Sequence, residues 1–340
     1  MNSIDLCVTI IKNLNLNGVI DLMKKVVVLD AHSVNPGEFD WNIFLDCVDE
    51  VERYDRTSED EIFERIKDAT YVFTCKVPLR SELLEKCSNL KYIGSMATGV
   101  NHIDVEFCSR NNIVVTNVPN YSTNAVSELV FAYMFEYFRK VSLHNRRVHS
   151  GEWVKSKDFC FYDRRVSEIA GKTLGIFGYG NIGRKVSEIA IVFGMKVLVH
   201  TTTKREDTDN IKFVSKEELF KNSDIISLHC PLTNDTRHII NKETLSIMKD
   251  GVIIINTARG QLISEQDLKD SLQSGKVGIA FLDVVEVEPM FESNVLLGVQ
   301  NCVITPHYGW CPFEARERLF NQLKINLQEF LNGNIINGVS

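Results

Sequence analysis

The sequence predicts an α/β protein of two doubly wound parallel-sheet (Rossmann-like) domains, with an active site in the cleft between them. Three observations lead there. Short β-branched runs alternate with helical stretches along the chain, and such alternation gives parallel sheets with crossover helices. A length of 340 residues accommodates two domains of ordinary size. A glycine fingerprint, Gly178-Tyr179-Gly180-Asn181-Ile182-Gly183, stands between a strand pattern and a helix pattern, the setting in which such a loop is a dinucleotide site.

Residues 1–22 precede the first strand pattern and read as an N-terminal extension; Met23 is an alternative start, and a short amphipathic helix is the competing reading. The segment has no basic stretch leading into a clean apolar run, so it makes a poor signal peptide. Strands follow at "VVVLDA" (26–31), "YVFTCK" (71–76), "KYIGSMA" (91–97) and "IVVTNV" (113–118). In "SEDEIFERIKD", Ser58 and Glu61 form a capping box that opens a helix. One long helix is expected from Asn124, "NAVSELVFAYMFEYFRKVSLHNRRVHSG", apolar enough to bury more than one face. Six buried strands come next: "TLGIFGY", "KVLVHT", "IISLHC", "GVIIINTA", "VGIAFLDV" and "NCVITPH". The last helix, "PFEARERLFNQLKINLQEFLNG", has no strand after it and is expected to pack back on the first domain. The expected division is 1–22 for the extension, 23–122 with 308–340 for a substrate domain, and 123–307 for a dinucleotide-binding domain.

An apolar fraction of 44% and a charged fraction of 24% are ordinary for a globular protein. A net charge of -7 argues against a dedicated nucleic-acid binder. Nine cysteines are scattered without a C-x-x-C pair, which points to reduced thiols in a cytoplasmic chain and to no metal site. No stretch reaches the length of a membrane span.

The glycines permit a tight turn and close approach to a pyrophosphate, and the following helix presents free N–H groups to it. An Asp or Glu normally ends the next strand and holds the ribose hydroxyls. Here Thr201 stands in that place, with Thr202, Thr203, Lys204 and Arg205 behind it. Threonine repels no 2′-phosphate, and two basic side chains would favour one. The expectation is that both NADH and NADPH serve, with NADP(H) weakly favoured; the alternative is that the basic pair merely faces solvent.

Ligands of such sheets lie beyond the carboxyl ends of the strands. Arg259 and Gly260 follow one buried strand, Asp283, Glu286 and Glu288-Pro289 another, and His307 a third. An arginine fork suits a carboxylate, an imidazolium donates a proton near neutral pH, and a neighbouring carboxylate favours its charged form. Together they suit reduction of a 2-keto acid beside a nicotinamide. His200 and His229 compete with His307 for the donor role. Each residue alone has an ordinary structural reading; their joint placement behind a nucleotide loop favours chemistry.

"FGYGNIG", "INTARGQLISEQDL", "LDVVEVEP" and "TPHYGW" resemble the D-isomer-specific 2-hydroxyacid dehydrogenases over roughly residues 23–335. The resemblance implies Arg259 as substrate clasp, Glu288 as carboxylate partner and His307 as acid/base. It places Asp283 toward the nicotinamide and lines the cofactor channel with Thr98, Cys230, Pro231, Thr257, Ala258 and Gly309. "NVPNYSTNAV", "GEWVKSKDFCFYD" and "TPHYGWCPFEARERL" are similar to the glycerate dehydrogenase, or hydroxypyruvate reductase, subgroup. That likeness implies a carboxylate held by backbone N–H groups of Ala97, Thr98, Gly99 and Val100, with Lys76 reaching the same pocket or simply solvated. Tyr308 and Trp310 are expected to narrow the pocket. Hydroxypyruvate or glyoxylate is the implied substrate; 3-phosphoglycerate, D-lactate and formate are alternatives, and a nucleotide-sensing corepressor is the alternative of another class. A homodimer is expected on the helix from Asn124 and the loop "SKDFCFYD".

Overall fold

The computed structural model describes residues 24–163, 165–203 and 205–339, so the readings of residues 1–22, Met23 and Lys204 lie outside the described residues. Two compact units divide the chain, one running to Tyr121 and resuming at Pro312, the other spanning Ser122–Cys311.

The first unit holds β1 (Lys25–Val28), β2 (Glu50–Arg53), β3 (Tyr71–Thr74), β4 (Tyr92–Ser95) and β5 (Val114–Thr116) in one parallel sheet, ordered β2-β1-β3-β4-β5. β2, "EVER", was not among the expected strands. It lies at the sheet edge and carries no apolar run; Lys25 of β1 pairs with Glu50 and Glu52 across the register. Charged residues suit an edge, where nothing covers them. The Ser58 N–H does bond the Glu61 carboxylate at 3.0 Å, as a capping box requires. Helix Phe313–Leu331 belongs to this unit and buries Phe320 against Trp41 and Phe39, with ring centroids 4.7 and 4.9 Å away.

The second unit holds seven parallel strands where six were expected: β6 (Thr173–Phe177), β7 (Lys196–His200), β8 (Ile211–Phe213), β9 (Ile225–Leu228), β10 (Val252–Asn256), β11 (Val277–Leu282) and β12 (Cys302–Ile304). Their order is β12-β11-β10-β9-β6-β7-β8, the dinucleotide-binding winding with one further strand on the long side. β8 is a three-residue edge strand, too short for a pattern. The central strands are buried along their length, as in "VIIIN" of β10, because helices cover both faces of such a sheet.

The expected single long helix is two helices, Thr123–Arg139 and Val141–His149. Lys140 takes φ 51 and ends the first, its N–H bonding the Glu136 carbonyl. The Glu136 carboxylate then accepts the Ser142 hydroxyl at 2.9 Å, which settles the start of the second. The first helix does bury several faces, but inside its own unit: Leu129, Val130, Phe131, Met134 and Phe138 join the core on one side of the sheet. Residues 308–311 remain with this unit instead of the first, since the N–H groups of Tyr308 and Gly309 bond Asp283 at 3.0 and 2.9 Å. No helix among the described residues is long and apolar enough to cross a membrane.

Candidate active site

The strand order of the second unit reverses between β6 and β9, and open parallel sheets bind ligands beyond the strand ends at such a point. Three glycines shape the turn there. Gly178 takes φ +101, and a Cβ on it would stand 2.6 Å from the backbone of His229 and Cys230. A Cβ on Gly183 would stand 2.2 Å from the Gly178 carbonyl oxygen, so turn and helix touch directly. Gly180 caps helix Asn181–Val192, and nothing lies within 4 Å of where its Cβ would be. Two glycines therefore let backbone meet backbone, and the middle one leaves the helix N-terminus open. That face fits a pyrophosphate, which N–H groups and the helix dipole would hold. Thr257, just past β10, adds a buried Oγ1 that finds no hydrogen-bond partner among the described residues. A buried hydroxyl of that kind fits a polar ligand atom.

The basic turn after β7 folds back. The Arg205 guanidinium stands 5.5 Å over the ring of Tyr179, inside the glycine fingerprint, within cation–π range. The Tyr179 ring in turn meets Phe213 edge-on at 5.2 Å. Thr201 is half-buried at the strand end, and Thr202 and Thr203 are exposed beside it.

Of the three competing histidines, two are occupied elsewhere. His200 places Nδ1 3.1 Å from the Val214 carbonyl and packs its ring on Phe177 at 4.9 Å. His229 has Nε2 2.8 Å from Ser227 Oγ, and burial pushes its pKa down to about 3. It is therefore neutral at neutral pH and has no proton to give. Cys230 beside it is likewise buried, its thiol pushed up to about 11 by desolvation.

His307 lies 19 residues after Glu288, and its Nδ1 sits 2.7 Å from Glu288 Oε2. Both side chains are partly open, 25% and 30% exposed, so the pair is reachable by a ligand. Glu288 Oε1 also takes the Val285 N–H. With Nδ1 facing a carboxylate, Nε2 is the ring nitrogen left to meet a ligand. His307 itself takes φ +50, an uncommon backbone state for a residue other than glycine. Asp283, only 2% exposed, holds the turn: it accepts the N–H groups of Tyr308 and Gly309 and the Thr305 hydroxyl at 2.7 Å. A Cβ on Gly309 would stand 3.0 Å from that carboxylate, so the close approach needs glycine. Asp283 thus supports the His307 turn, a role that spacing did not reveal.

Arg259 follows β10 in extended conformation, its Nη1 bonding the Ala258 carbonyl at 2.7 Å. Asn256, fully buried at the strand end, stitches this turn together: its Oδ1 accepts the Ala258 N–H at 3.0 Å and its Nδ2 donates to the Arg259 carbonyl at 2.8 Å. A Cβ on Gly260 would lie 1.9 Å from the Val285 carbonyl, so the arginine turn packs directly on the acidic loop. Gly260 was noted from the sequence only as following Arg259, and Asn256 was not singled out, although an Asn ending an apolar run and preceding a turn is a recognisable turn-former.

In the first unit, buried Asp30 accepts the N–H groups of Cys75 and Lys76 at 2.9 and 2.7 Å. Burial raises its pKa, and those N–H groups oppose the rise. The turn they fix presents Lys76 to solvent. The loop Ala97–Val100 gives its carbonyls to the protein: Val118 N–H to Ala97, Asn117 Nδ2 to Thr98, Ser95 Oγ to Gly99 and Ile103 N–H to Val100. The N–H groups of Thr98, Gly99 and Val100 find no protein acceptor among the described residues. Successive free N–H groups are the kind of backbone feature that can hold an anion.

Residues 131–309 match the model of the D-isomer specific 2-hydroxyacid dehydrogenase NAD binding domain. The chain is 46% identical to a hydroxypyruvate reductase of Blautia hydrogenotrophica over 93% of its own length and 99% of that protein's. It is 37% identical to a glycerate dehydrogenase of Methylorubrum extorquens, with 92% and 98% covered. Among solved structures, an acyclic imino acid reductase in complex with NADPH and D-Arg superposes with a TM-score of 0.81 at 32% identity, covering 93% of this chain and all of that one. With the fingerprint turn and the His–Glu pair on strand ends of one dinucleotide-binding sheet, these likenesses settle that the chain belongs to the D-isomer-specific 2-hydroxyacid dehydrogenases, the NAD(P)-dependent oxidoreductases of that family.

Proposed function

We propose that the enzyme reduces a small 2-keto acid, hydroxypyruvate or glyoxylate, to the D-2-hydroxy acid. The observation that carries this reading is the His307–Glu288 pair at 2.7 Å, partly open and set past the strand ends of the same sheet that carries the glycine turn. A nicotinamide dinucleotide bound at Gly178, Gly180 and Gly183, with Thr257, Ala258, Cys230 and Pro231 lining its path, would supply a hydride. His307 Nε2 gives the proton to the carbonyl oxygen, and Glu288 stabilises the imidazolium and fixes the ring. The Arg259 fork clasps the substrate carboxylate and polarises the adjacent carbonyl. Within the first unit, the free N–H groups of Thr98 to Val100 are suited to a carboxylate, and Lys76 of the same unit stands open to solvent. The likenesses to a hydroxypyruvate reductase and a glycerate dehydrogenase run at 46% and 37% identity, above the 34%, 30% and 25% to phosphoglycerate, D-lactate and formate dehydrogenases, which favours the former substrates.

The cofactor reading is that NADPH is accepted and weakly preferred. Thr201 offers no negative charge to repel a 2′-phosphate, and Arg205 is held over Tyr179, next to the turn that would hold the pyrophosphate. A panel of 2-keto acids assayed with NADH and with NADPH is expected to give the highest kcat/KM for hydroxypyruvate or glyoxylate with NADPH. Thr201→Asp is expected to move preference toward NADH, and Arg205→Ala to raise KM for NADPH while leaving NADH nearly unchanged. Strict use of NADH by the unmodified enzyme would show that the basic turn does not read the cofactor.

The eight described cysteines are all free thiols, which fits a cytoplasmic enzyme. The dimer reading now rests on the segment after the second helix. Val154 and Phe159 are 89% and 90% exposed, with Trp153 and Tyr162 also open. The segment is nonetheless anchored, since Arg147 covers Phe161 at 4.8 Å and His144 Nε2 accepts the Asp163 N–H at 3.1 Å. A fixed apolar display of this kind marks a protein interface. Sedimentation is expected to give a dimer at micromolar protein, and Val154→Asp with Phe159→Asp a monomer; a monomeric mass for the unmodified protein refutes it.

A further inference from the structure

Helix Thr123–Arg139 is packed almost wholly by apolar side chains, yet it places a phenol, Tyr133, at 5% exposure in the core. Its ring stacks on Phe281 at 4.9 Å with 19° between planes. A phenylalanine would pack there equally well, and a buried hydroxyl without a partner is unfavourable. The hydroxyl has a partner: it meets Thr305 Oγ1. Thr305 Oγ1 in turn lies 2.7 Å from Asp283 Oδ1. The direction of the chain follows from donor inventory. The Asp283 oxygens already receive the N–H groups of Tyr308 and Gly309. A carboxylate so placed accepts, so the single Thr305 proton goes to Asp283, and Tyr133 donates to Thr305. Burial raises the Tyr133 pKa well above the usual phenol range, so its proton stays in place.

The chain ends on the turn that carries His307. That residue takes φ +50, a state disfavoured by roughly 1–2 kcal/mol for an L-residue and kept only where the surroundings over-determine it. The bonds from Asp283 to the two residues after His307 provide that constraint, and Thr305, two residues before it, shares the same carboxylate oxygen with Tyr308. We infer that Tyr133 is a positioning residue for catalysis: its hydroxyl aligns Thr305 on Asp283, and through Asp283 it holds the left-handed His307 turn in its working geometry. The inference rests on the acid/base role assigned to His307. Tyr133 touches no substrate. Deleting its hydroxyl leaves the ring stack intact and loosens only the turn, so fewer molecules present Nε2 correctly.

The test is kinetic. Tyr133→Phe is expected to lower kcat about fivefold, the worth of one hydrogen bond, with KM for the cofactor and the keto acid within about twofold and the fold retained. Thr305→Val should lower kcat by a similar or larger factor, and Thr305→Ser should restore it. The double variant Tyr133→Phe/Thr305→Val should be no slower than Thr305→Val alone, because the phenol acts only through that hydroxyl. If Thr305→Val fails to fold, Tyr133→Phe in the Thr305→Ser background should still show the fivefold loss. Independent, multiplicative losses in the double variant overturn the relay, as does full kcat in Tyr133→Phe while His307→Ala is inactive. Full turnover in His307→Ala would overturn the acid/base reading first, and this inference with it.

Discussion

His307→Ala is expected to lower kcat by about 10²–10⁴-fold, the usual contribution of a positioned general acid, while cofactor affinity stays near that of the unmodified enzyme. The imidazole meets Glu288 and is otherwise open to a ligand, so its loss leaves no buried polar group unpaired and the fold should survive. Cofactor titration by fluorescence and a steady-state assay at neutral pH separate the two effects. Retention of most of kcat would remove His307 from the chemistry. Glu288→Gln refines the test. The carboxylate 2.7 Å from Nδ1 fixes the ring and attracts positive charge on it. The amide keeps a hydrogen-bond partner for the ring and removes the charge, so kcat is expected to fall about tenfold or more with cofactor affinity unchanged. An unchanged kcat would break the pairing.

How far the sequence alone could lead is best seen in particular residues. The alternation of buried strands and helices is a pattern of composition, and it predicted both sheets and their parallel sense. β2 and β8 escaped because edge strands need no apolar face: one is "EVER", the other three residues long. The break at Lys140 escaped because a left-handed residue there is usually Gly or Asn, and apolar periodicity runs through it. Arg259, Glu288 and His307 were singled out because each follows a buried strand, and ligands of a doubly wound sheet lie beyond the strand ends. The choice among three histidines was not legible. It turns on what each ring nitrogen meets, namely the Val214 carbonyl for His200, Ser227 for His229 and Glu288 for His307. The layer behind the site was silent for the same reason. Asn256, Thr305 and Tyr133 act through hydrogen bonds to neighbours as much as 172 residues away, and no local pattern marks such a partner.

The second large expected effect is on Arg259. Arg259→Lys should lower kcat/KM for the keto acid by about ten- to a hundredfold, the worth of one charge-assisted hydrogen bond. The reason is geometric. A guanidinium offers two parallel donors to a carboxylate, whereas an ammonium keeps the charge and loses the fork. The structure prepares the fork carefully: Asn256 brackets the turn on both sides, and Gly260 lets it press on the Val285 backbone. A lysine would leave that backbone undisturbed, so the loss should appear in kinetics and not in thermal stability. If the fork clasps the carboxylate, it discriminates between a keto acid and its amide. The ratio of their kcat/KM values should therefore fall in Arg259→Lys, and fall further in Arg259→Ala. Were Arg259 only a surface charge, the ratio would stay constant and both variants would keep the unmodified kcat and KM. Cofactor KM serves as the internal control. Arg259 bonds the Ala258 carbonyl beside Thr257, so a rise in cofactor KM alone, with the acid-to-amide ratio unchanged, would assign the residue to the cofactor channel and withdraw it from the substrate.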